Sequence, residues 1–315
     1  MVLAKMKGDS EMKFRQIWRR PLSSGIVKTD CRMWMFLAVM GLVFALTASN
    51  ADATPVNTIW GNSAGDQLDE FNLTTGALID AINPQAALGL GSWNGRGVVQ
   101  VNNTLYVTSA NSNDVYKINA TTGAGEGIAF SVAGASALST ISFDGTNFWI
   151  SDYSGSNHAY LYSPTGTLIK TVSMANATGY MDGLAYFNGE LISNRGDGCC
   201  TNPTYYDIYN LNGNVLKNAF IVTNTNSTGI AYDGTNFWGS NVYNNSLSEY
   251  NGTTGAFMQN LSLQGGSYLI EGLSVNYAQV LPPSTTPEPS TIALFGTGLI
   301  LMGWRVSRRQ KVFVR

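Results

Sequence analysis

The fold is indicated by a stretch that occurs twice with almost the same residues: Ile141-Ser-Phe-Asp-Gly-Thr-Asn-Phe-Trp149-Ile-Ser-Asp152 and Ile230-Ala-Tyr-Asp-Gly-Thr-Asn-Phe-Trp238-Gly-Ser-Asn241. In the first copy, apolar and polar side chains alternate before the Asp-Gly pair, and in both copies a run rich in aromatic residues follows it. This alternation is typical of β-strands, and Asp-Gly favours the tight turn between antiparallel strands. Each copy therefore predicts a two-stranded hairpin.

The hairpin is part of a longer repeat. Weaker copies occur at 98–109 and 184–194, and third and fourth strands follow around a Gly turn. First strands begin at Gly97, Thr140, Gly183, Gly229 and Gly272, at spacings of 43 to 46 residues. Second strands centre on Trp60, Tyr106, Trp149, Leu191 and Trp238, at spacings of 42 to 47 residues. Four strands in every 40 to 45 residues or so are typical of a β-propeller blade.

The phase of the repeat predicts how the ring closes. The mature chain opens on a second strand at Trp60 and closes on a first strand at Gly272. Its two ends should complete one shared blade, which removes the open edges of the ring. The sequence thus predicts an all-β, five-bladed β-propeller whose terminal strands share a blade, with helix almost confined to the terminal segments. A β-sandwich and a solenoid are the alternatives.

Charge divides the 315-residue chain into three parts. Residues 1–53 carry eight Lys or Arg and four acidic residues, and residues 282–315 carry five Lys or Arg and one acidic residue. The middle, 54–281, carries five Lys or Arg and fifteen acidic residues, a net charge of −10. Because so acidic a domain repels phosphate, we expect no nucleic-acid partner. Its length is ordinary for one all-β domain, so 54–281 is the predicted propeller.

Residues 1–53 have the pattern of a secretory signal peptide. Lys28 and Arg32 precede an apolar run of 14 residues, and an Ala-x-Ala site formed by Ala51 and Ala53 follows it. This order predicts export with cleavage after Ala53. The apolar run is shorter than an ordinary transmembrane helix, and an uncleaved N-terminal anchor is the alternative.

Residues 282–315 combine three elements in order. A Pro-rich linker contains Pro287-Glu288-Pro289, an apolar run of 13 residues follows, and the basic residues Arg305, Arg308 and Arg309 come next. A short apolar helix with arginines behind it is typical of a stop-transfer element that keeps the arginines on the cytoplasmic side. The three elements together resemble the PEP-CTERM sorting signal of Gram-negative bacteria.

That resemblance implies a route for the protein. It implies export, a transient stay in the inner membrane, processing by an exosortase-type membrane enzyme, and release to the outer surface or the extracellular matrix. An extracellular polysaccharide is then an expected partner. A simple membrane anchor is the alternative interpretation of the tail.

The repeat itself resembles a broad class of propellers. The pattern Gly229-Ile-Ala-Tyr-Asp-Gly234 and the pattern Asn236-Phe-Trp-Gly-Ser-Asn241 are similar to those of NHL, gluconolactonase and streptogramin-lyase-like propellers. The resemblance covers the whole predicted mature domain. Such patterns specify blades and leave the chemistry open.

Polar residues mark one end of the predicted channel. Antiparallel pairing places the residue before each first strand beside the residue after each second strand. The two sets are Arg96, Ser139, Asp182, Thr228, Glu271 and Asn62, Ser109, Asp152, Asn194, Asn241. Oxygen donors suit a hard cation, so the sequence predicts a calcium-like site at Asp152, Asp182, Asn194 and Glu271. In the lactonases and lyases that the chain resembles, such a metal polarises the substrate carbonyl. The alternative is that the channel mouth is polar because it is wet.

No catalytic residue is assigned from the sequence. His158 is the only histidine and lies in a polar stretch expected to form a surface loop. Cys199 and Cys200 are adjacent, with Cα atoms about 3.8 Å apart, below the usual disulfide range of about 4.4–6.8 Å. The favoured hypothesis is a non-enzymatic binding module of the cell surface or matrix. A metal-dependent lactonase- or lyase-like enzyme is the second hypothesis.

Overall fold

The computed structural model describes residues 56–196, 200 and 202–280, in which twenty strands form five four-stranded antiparallel sheets. Each sheet is one blade of a propeller. Blade 1 contains β20 (Ile270–Ser274), β1 (Thr58–Ser63), β2 (Leu68–Asn72) and β3 (Leu78–Ile82). Blade 2 contains β4 (Gly95–Val101), β5 (Thr104–Ser109), β6 (Asp114–Asn119) and β7 (Gly125–Ser131), and blade 3 contains β8 (Leu138–Phe143), β9 (Phe148–Asp152), β10 (His158–Tyr162) and β11 (Leu168–Ser173).

The remaining two blades have the same order from the inner to the outer strand. Blade 4 contains β12 (Leu184–Phe187), β13 (Glu190–Asn194), β14 (Tyr205–Tyr209) and β15 (Val215–Val222). Blade 5 contains β16 (Ile230–Tyr232), β17 (Asn236–Asn241), β18 (Ser246–Asn251) and β19 (Phe257–Ser262). The five blades and their phase confirm the fold class predicted from the sequence.

Two short helices lie within the described residues. Helix α1 (Pro84–Leu88) connects blade 1 to blade 2; the side chain of Asn83 caps it, and Gly89 ends it in a left-handed conformation. Helix α2 (Tyr277–Val280) follows the last strand. Neither helix is long and apolar enough to cross a bilayer. The predicted signal helix and the predicted membrane helix of the tail lie outside the described residues.

The ring closes between the first and last strands of the domain. Strand β20 pairs antiparallel with β1, with Trp60 opposite Ser274 and Gly61 opposite Leu273. The innermost strand of blade 1 therefore comes from the end of the domain, while its other three strands come from the start. This pairing confirms the shared blade.

The Asp-Gly turns of the inner hairpins also form as the sequence predicts. The carboxylate of Asp144 accepts hydrogen bonds from the backbone N–H groups of Thr146 and Asn147, at 2.9 and 2.7 Å. The next residue, Gly145, has φ of 98°, a conformation that favours glycine. Asp233 and Gly234 repeat both features in blade 5.

Hydrophobic side chains fill the spaces between neighbouring blades. Trp60, Trp149 and Trp238 are 1%, 1% and 4% exposed, respectively. Trp149 packs with residues of its own blade, such as Val172, and with Leu191 of blade 4. The tryptophans of the repeat therefore pack between blades.

Glycines let the innermost strands approach one another closely around the axis. A Cβ atom at Gly183 would overlap the backbone carbonyl oxygen of Thr228 in the next blade. A Cβ atom at Gly272 would overlap the carbonyl oxygen of Arg96 in the same way. At these positions, the innermost strands of neighbouring blades pack backbone against backbone.

Candidate functional site

The first and second strands of each blade bring two sets of polar residues to one end of the channel. Pairing places Leu138 opposite Asp152 and Gly95 opposite Ser109. We call this end, with the loops that leave the second strands and enter the first strands, the mouth face. It is the end at which the sequence analysis expected the two polar sets to meet.

An ion pair spans the mouth face. Nη1 of Arg96 lies 2.9 Å from Oε1 of Glu271, and both side chains are largely buried. The other terminal nitrogen of Arg96 donates to the hydroxyl of Tyr153 at 3.2 Å, and the guanidinium carbon lies 4.4 Å from the centre of that ring. Arg96 therefore connects blade 2 with blade 1 and with the loop that leaves the second strand of blade 3.

The ion pair leaves two buried atoms without a hydrogen-bond partner among the described residues, Nε of Arg96 and Oε2 of Glu271. Burial raises the pKa of Glu271, and the neighbouring Arg96 opposes that rise. A carboxylate with this environment is costly to bury, because it loses water and regains only part of its hydrogen bonding.

Small polar side chains join consecutive blades beneath the mouth face. The amide of Asn62 donates to the carbonyl oxygen of Gly97 in blade 2 at 2.8 Å. The hydroxyl of Ser151 in blade 3 donates to the carbonyl oxygen of Met181, which leads into blade 4, at 2.7 Å. Because such groups satisfy backbone atoms that the ring buries, much of this polarity stabilises the closed ring.

The four predicted calcium ligands each engage protein groups. The carboxylate of Asp152 accepts hydrogen bonds from the hydroxyl groups of Ser154, Ser156 and Tyr160. The carboxylate of Asp182 accepts from Ser139, and the side chain of Asn194 accepts from the N–H of Gly183. Glu271 forms the ion pair with Arg96. Among the described residues, no three His, Cys, Asp or Glu side chains form a group that could hold a metal ion. The calcium-like site stays a prediction, and a cation bound by Glu271 would compete with Arg96.

The residues considered for catalysis or redox chemistry lie apart from this ion pair. His158 is the first residue of β10, paired with Ser173 of β11, so the expected surface loop is wrong at this position. Cys200 is exposed and carries a free thiol. Its neighbour Cys199 is outside the described residues.

A second ion pair was missed by the sequence analysis. Arg195 follows β13 and binds Asp207 of β14 with two nitrogens, at 2.8 and 2.9 Å. Asp207 has no exposed surface and also accepts from Asn176 at 2.9 Å. A signal was present, because Asp207 stands in the apolar strand Tyr205–Tyr209, where a charge needs a partner. Burial by itself would raise the pKa of Asp207, but hydrogen bonds, chiefly from Arg195, outweigh burial and lower it.

We expect Asp207→Asn to lower the free energy of unfolding by about 2–4 kcal/mol near neutral pH, because it leaves Arg195 without its carboxylate. The folded pKa of Asp207 lies below the unfolded value of about 3.9. Its contribution is therefore complete above about pH 5 and is lost as the pH falls through the folded pKa. Urea unfolding between about pH 3 and 7 should show a shallower acid loss in the variant than in the parent protein.

Glu126→Gln is the matched control, since Glu126 is exposed on β7. It should keep the parent protein's stability and acid dependence. An Asp207→Asn protein with the parent's acid dependence would contradict the assigned pKa direction.

Large aromatic side chains are exposed on the loops of the mouth face. Tyr268 is 66% exposed and Tyr243 is 59% exposed, the two highest values among the large hydrophobic residues described. Tyr180 and Tyr205 are each 37% exposed. The sequence analysis did not single out these tyrosines, because they lie in loops or at a strand end, outside the alternating pattern that marks buried positions.

The tail agrees with a known sorting signal. Residues 285–309 match the family model described as the PEP-CTERM protein-sorting motif. The match includes Pro287-Glu288-Pro289 and the three arginines that the sequence analysis assigned to the sorting signal. The chain is thus a five-bladed β-propeller protein that carries a PEP-CTERM sorting signal. This signal indicates export through the inner membrane to the cell surface or the extracellular space.

Several solved structures are similar to this chain at low sequence identity. About 70% of this chain aligns with 99% of a chain in the crystal structure of a nidogen/laminin complex, at 10% identity and a TM-score of 0.50. Streptogramin B lyase aligns over 70% of each chain at 14% identity and a TM-score of 0.42. A protein of unknown function from Bacteroides caccae aligns over 71% of this chain and 99% of its own, at 11% identity and a TM-score of 0.45. At these identities the similarity concerns the fold alone. No curated protein matches the sequence significantly.

Proposed function

We propose that this protein is a non-enzymatic binding module of the cell surface or the extracellular polysaccharide matrix. The observation that carries the proposal is the set of exposed tyrosines on the mouth face, led by Tyr268 and Tyr243. Exposed aromatic residues in one region of a surface are typical of recognition sites, since they offer large contact areas with few rotatable bonds.

The closed ring supports the same proposal. The loops of the mouth face leave second strands that are paired on both sides and enter first strands that are largely buried. Loops held in this way lose little conformational freedom when a ligand binds, and this raises affinity. The acidic domain and its exported route also favour an extracellular partner over a nucleic acid.

A thermal-shift experiment on the exported protein tests this function. We expect a matrix polysaccharide from the producing cells to raise the melting temperature, while calcium and EDTA leave it unchanged. A rise with calcium that EDTA reverses would show that the predicted calcium-like site binds metal, which the metal-dependent enzyme hypothesis requires. No response to any polysaccharide would contradict the binding module.

We further propose that an exosortase-type enzyme cuts the tail near Pro287-Glu288-Pro289 and releases the propeller. An apolar run of 13 residues would reach about 20 Å as a helix, against a hydrocarbon core of about 30 Å, so it makes a poor permanent anchor. Mass spectrometry of the exported protein should find a chain that begins near Thr54 and ends close to Pro287.

Replacing Glu288 by alanine should leave full-length protein in the inner membrane, because the cleavage motif is lost. The control is Glu126→Gln, which changes one exposed acid of the propeller and should be released normally. Native protein recovered outside the cell with Arg308 and Arg309 still attached would show that the tail is only an anchor.

A further inference from the structure

The two most exposed tyrosines occupy neighbouring loops of the mouth face. Tyr243 follows the second strand of blade 5, and Tyr268 precedes the first strand of blade 1. The N–H of Leu269 donates to the carbonyl oxygen of Val242 at 3.2 Å. This bond places the peptide unit after Tyr268 directly beside the peptide unit before Tyr243, so the two tyrosines are neighbours across the blade boundary.

The loop that carries Tyr268 is fixed to the propeller at several points. The N–H of Ser267 donates to the buried carboxylate of Asp69 at 2.6 Å, and the amide of Asn245 donates to the carbonyl oxygens of Leu263 and Gly265, both at 3.2 Å. Gly266 packs against the aromatic ring of Phe71 in blade 1. A Cβ atom at Gly266 would come within 2.6 Å of that ring. The position of Tyr268 is therefore set by the core.

Backbone strain occurs at the same place. Leu269 has φ of 64°, a conformation that is unfavourable for leucine, and its backbone is held by the bond to Val242 and by one from Ala64 to its carbonyl oxygen. Strained residues that the surrounding structure holds in place are found most often at ligand-binding positions. Here the strain turns the chain at the residue after Tyr268, and both neighbouring side chains, Tyr268 and Leu269, remain exposed.

The polar groups around these tyrosines are neutral. The three loops 63–67, 242–245 and 264–269 contain no Lys or Arg and only one acidic residue, Asp66. Exposed Asn244 and half-buried Gln67 and Ser267 offer amide and hydroxyl groups instead. Arg96 and Arg195, the arginines that the structure describes on the mouth face, are already paired with Glu271 and Asp207. An anionic ligand would meet an acidic domain with no free counter-charge here.

We infer that Tyr243 and Tyr268 form a binding site for an uncharged polysaccharide. The backbone of Leu269 joins the two loops that carry these tyrosines. The apolar face of a pyranose ring stacks on tyrosine, while its hydroxyl groups suit the surrounding amides and hydroxyls. The inference rests on the proposed binding function and makes it specific in two respects: the residues that bind and the absence of charge on the ligand. Uronate-containing polysaccharides are excluded by the same electrostatics.

The test uses the exported, processed protein and measures dissociation constants by calorimetry for cellohexaose, laminarihexaose and yeast mannan, and for polygalacturonate. We expect binding to at least one neutral glycan and none to polygalacturonate. Tyr268→Ala and Tyr243→Ala should each raise the dissociation constant about tenfold or more, as for a central aromatic contact. Tyr268→Phe keeps the ring and should stay within about threefold of the parent.

The matched control is Phe257→Ala, because Phe257 is 52% exposed on β19, the outer strand of blade 5. It should bind as the parent does, and melting temperatures should show that all variants are folded. Binding to polygalacturonate alone, or binding that neither tyrosine variant weakens, overturns this inference, whereas the protein would still be a binding module. Failure of the released protein to bind any polysaccharide overturns both.

Discussion

Trp149→Ala should lower the free energy of unfolding by about 3–5 kcal/mol, through lost burial and the cavity that remains between two blades. Trp149 is 1% exposed and packs in the cluster that contains Val172 of blade 3 and Leu191 of blade 4. Its indole nitrogen has no hydrogen-bond partner among the described residues, so the loss is one of packing rather than of polar contacts. Urea unfolding followed by tryptophan fluorescence measures the change.

The control for this prediction is Ile128→Ala on the outer strand of blade 2. Ile128 is 55% exposed, so its truncation should change stability by about 0.5 kcal/mol or less. An unchanged melting temperature for Trp149→Ala would mean that its ring lies in solvent, where it could stack on a sugar. The burial of all three repeat tryptophans argues against that outcome.

Gly272→Val is expected to destabilise the protein by about 3 kcal/mol or more, or to prevent it from folding, although valine is the better strand former. The reason is spatial, since a Cβ atom at this position would overlap the carbonyl oxygen of Arg96 in the neighbouring blade. Relief requires the innermost strands of blades 1 and 2 to move apart, which would also disturb the Arg96–Glu271 ion pair.

Gly91→Ala provides the comparison, because a Cβ atom there has no atom within 4 Å and the glycine has no left-handed conformation. That variant should be as stable as the parent or slightly more stable. The measurement is the yield of soluble protein and its urea midpoint. A Gly272→Val protein with the parent's midpoint would show that the inner strands are less tightly packed than the structure has them.

The fold could be predicted from the sequence because each blade repeats the same hairpin turns and the same buried second strand. The Asp-Gly pairs at 144–145 and 233–234 fix the hairpins, and the repeat tryptophans mark the second strands, which are buried on both faces. The phase of the repeat then specified the closure of β20 on β1. These signals are local, and local patterns are what a single sequence displays.

The site could be predicted only in part. The sequence indicated that Arg96 and Glu271 would both lie at the channel mouth, but it could not show that they pair, since they are 175 residues apart in the chain. The contact between the loops that carry Tyr243 and Tyr268 could not be predicted from the sequence for a related reason. It depends on how a loop of blade 5 meets the connection into blade 1, and no repeat pattern encodes that meeting.

The shared blade also sets the order of events during export. The strand that completes blade 1, residues 270–274, is the last strand of the domain, and the sorting motif begins at residue 285. If the chain crosses the membrane from its N-terminus, β1 has no inner partner strand until β20, near the end of the domain, has also crossed. Residues 275–284 separate the closing strand from the motif, so the strand that closes the ring lies next to the proposed cleavage region in the sequence. A chain cut before residue 270 would be released as an open ring with an unpaired edge, whereas a cut within the motif releases a finished one. The proposed cut near the sorting motif would therefore leave every strand of the propeller in the released protein.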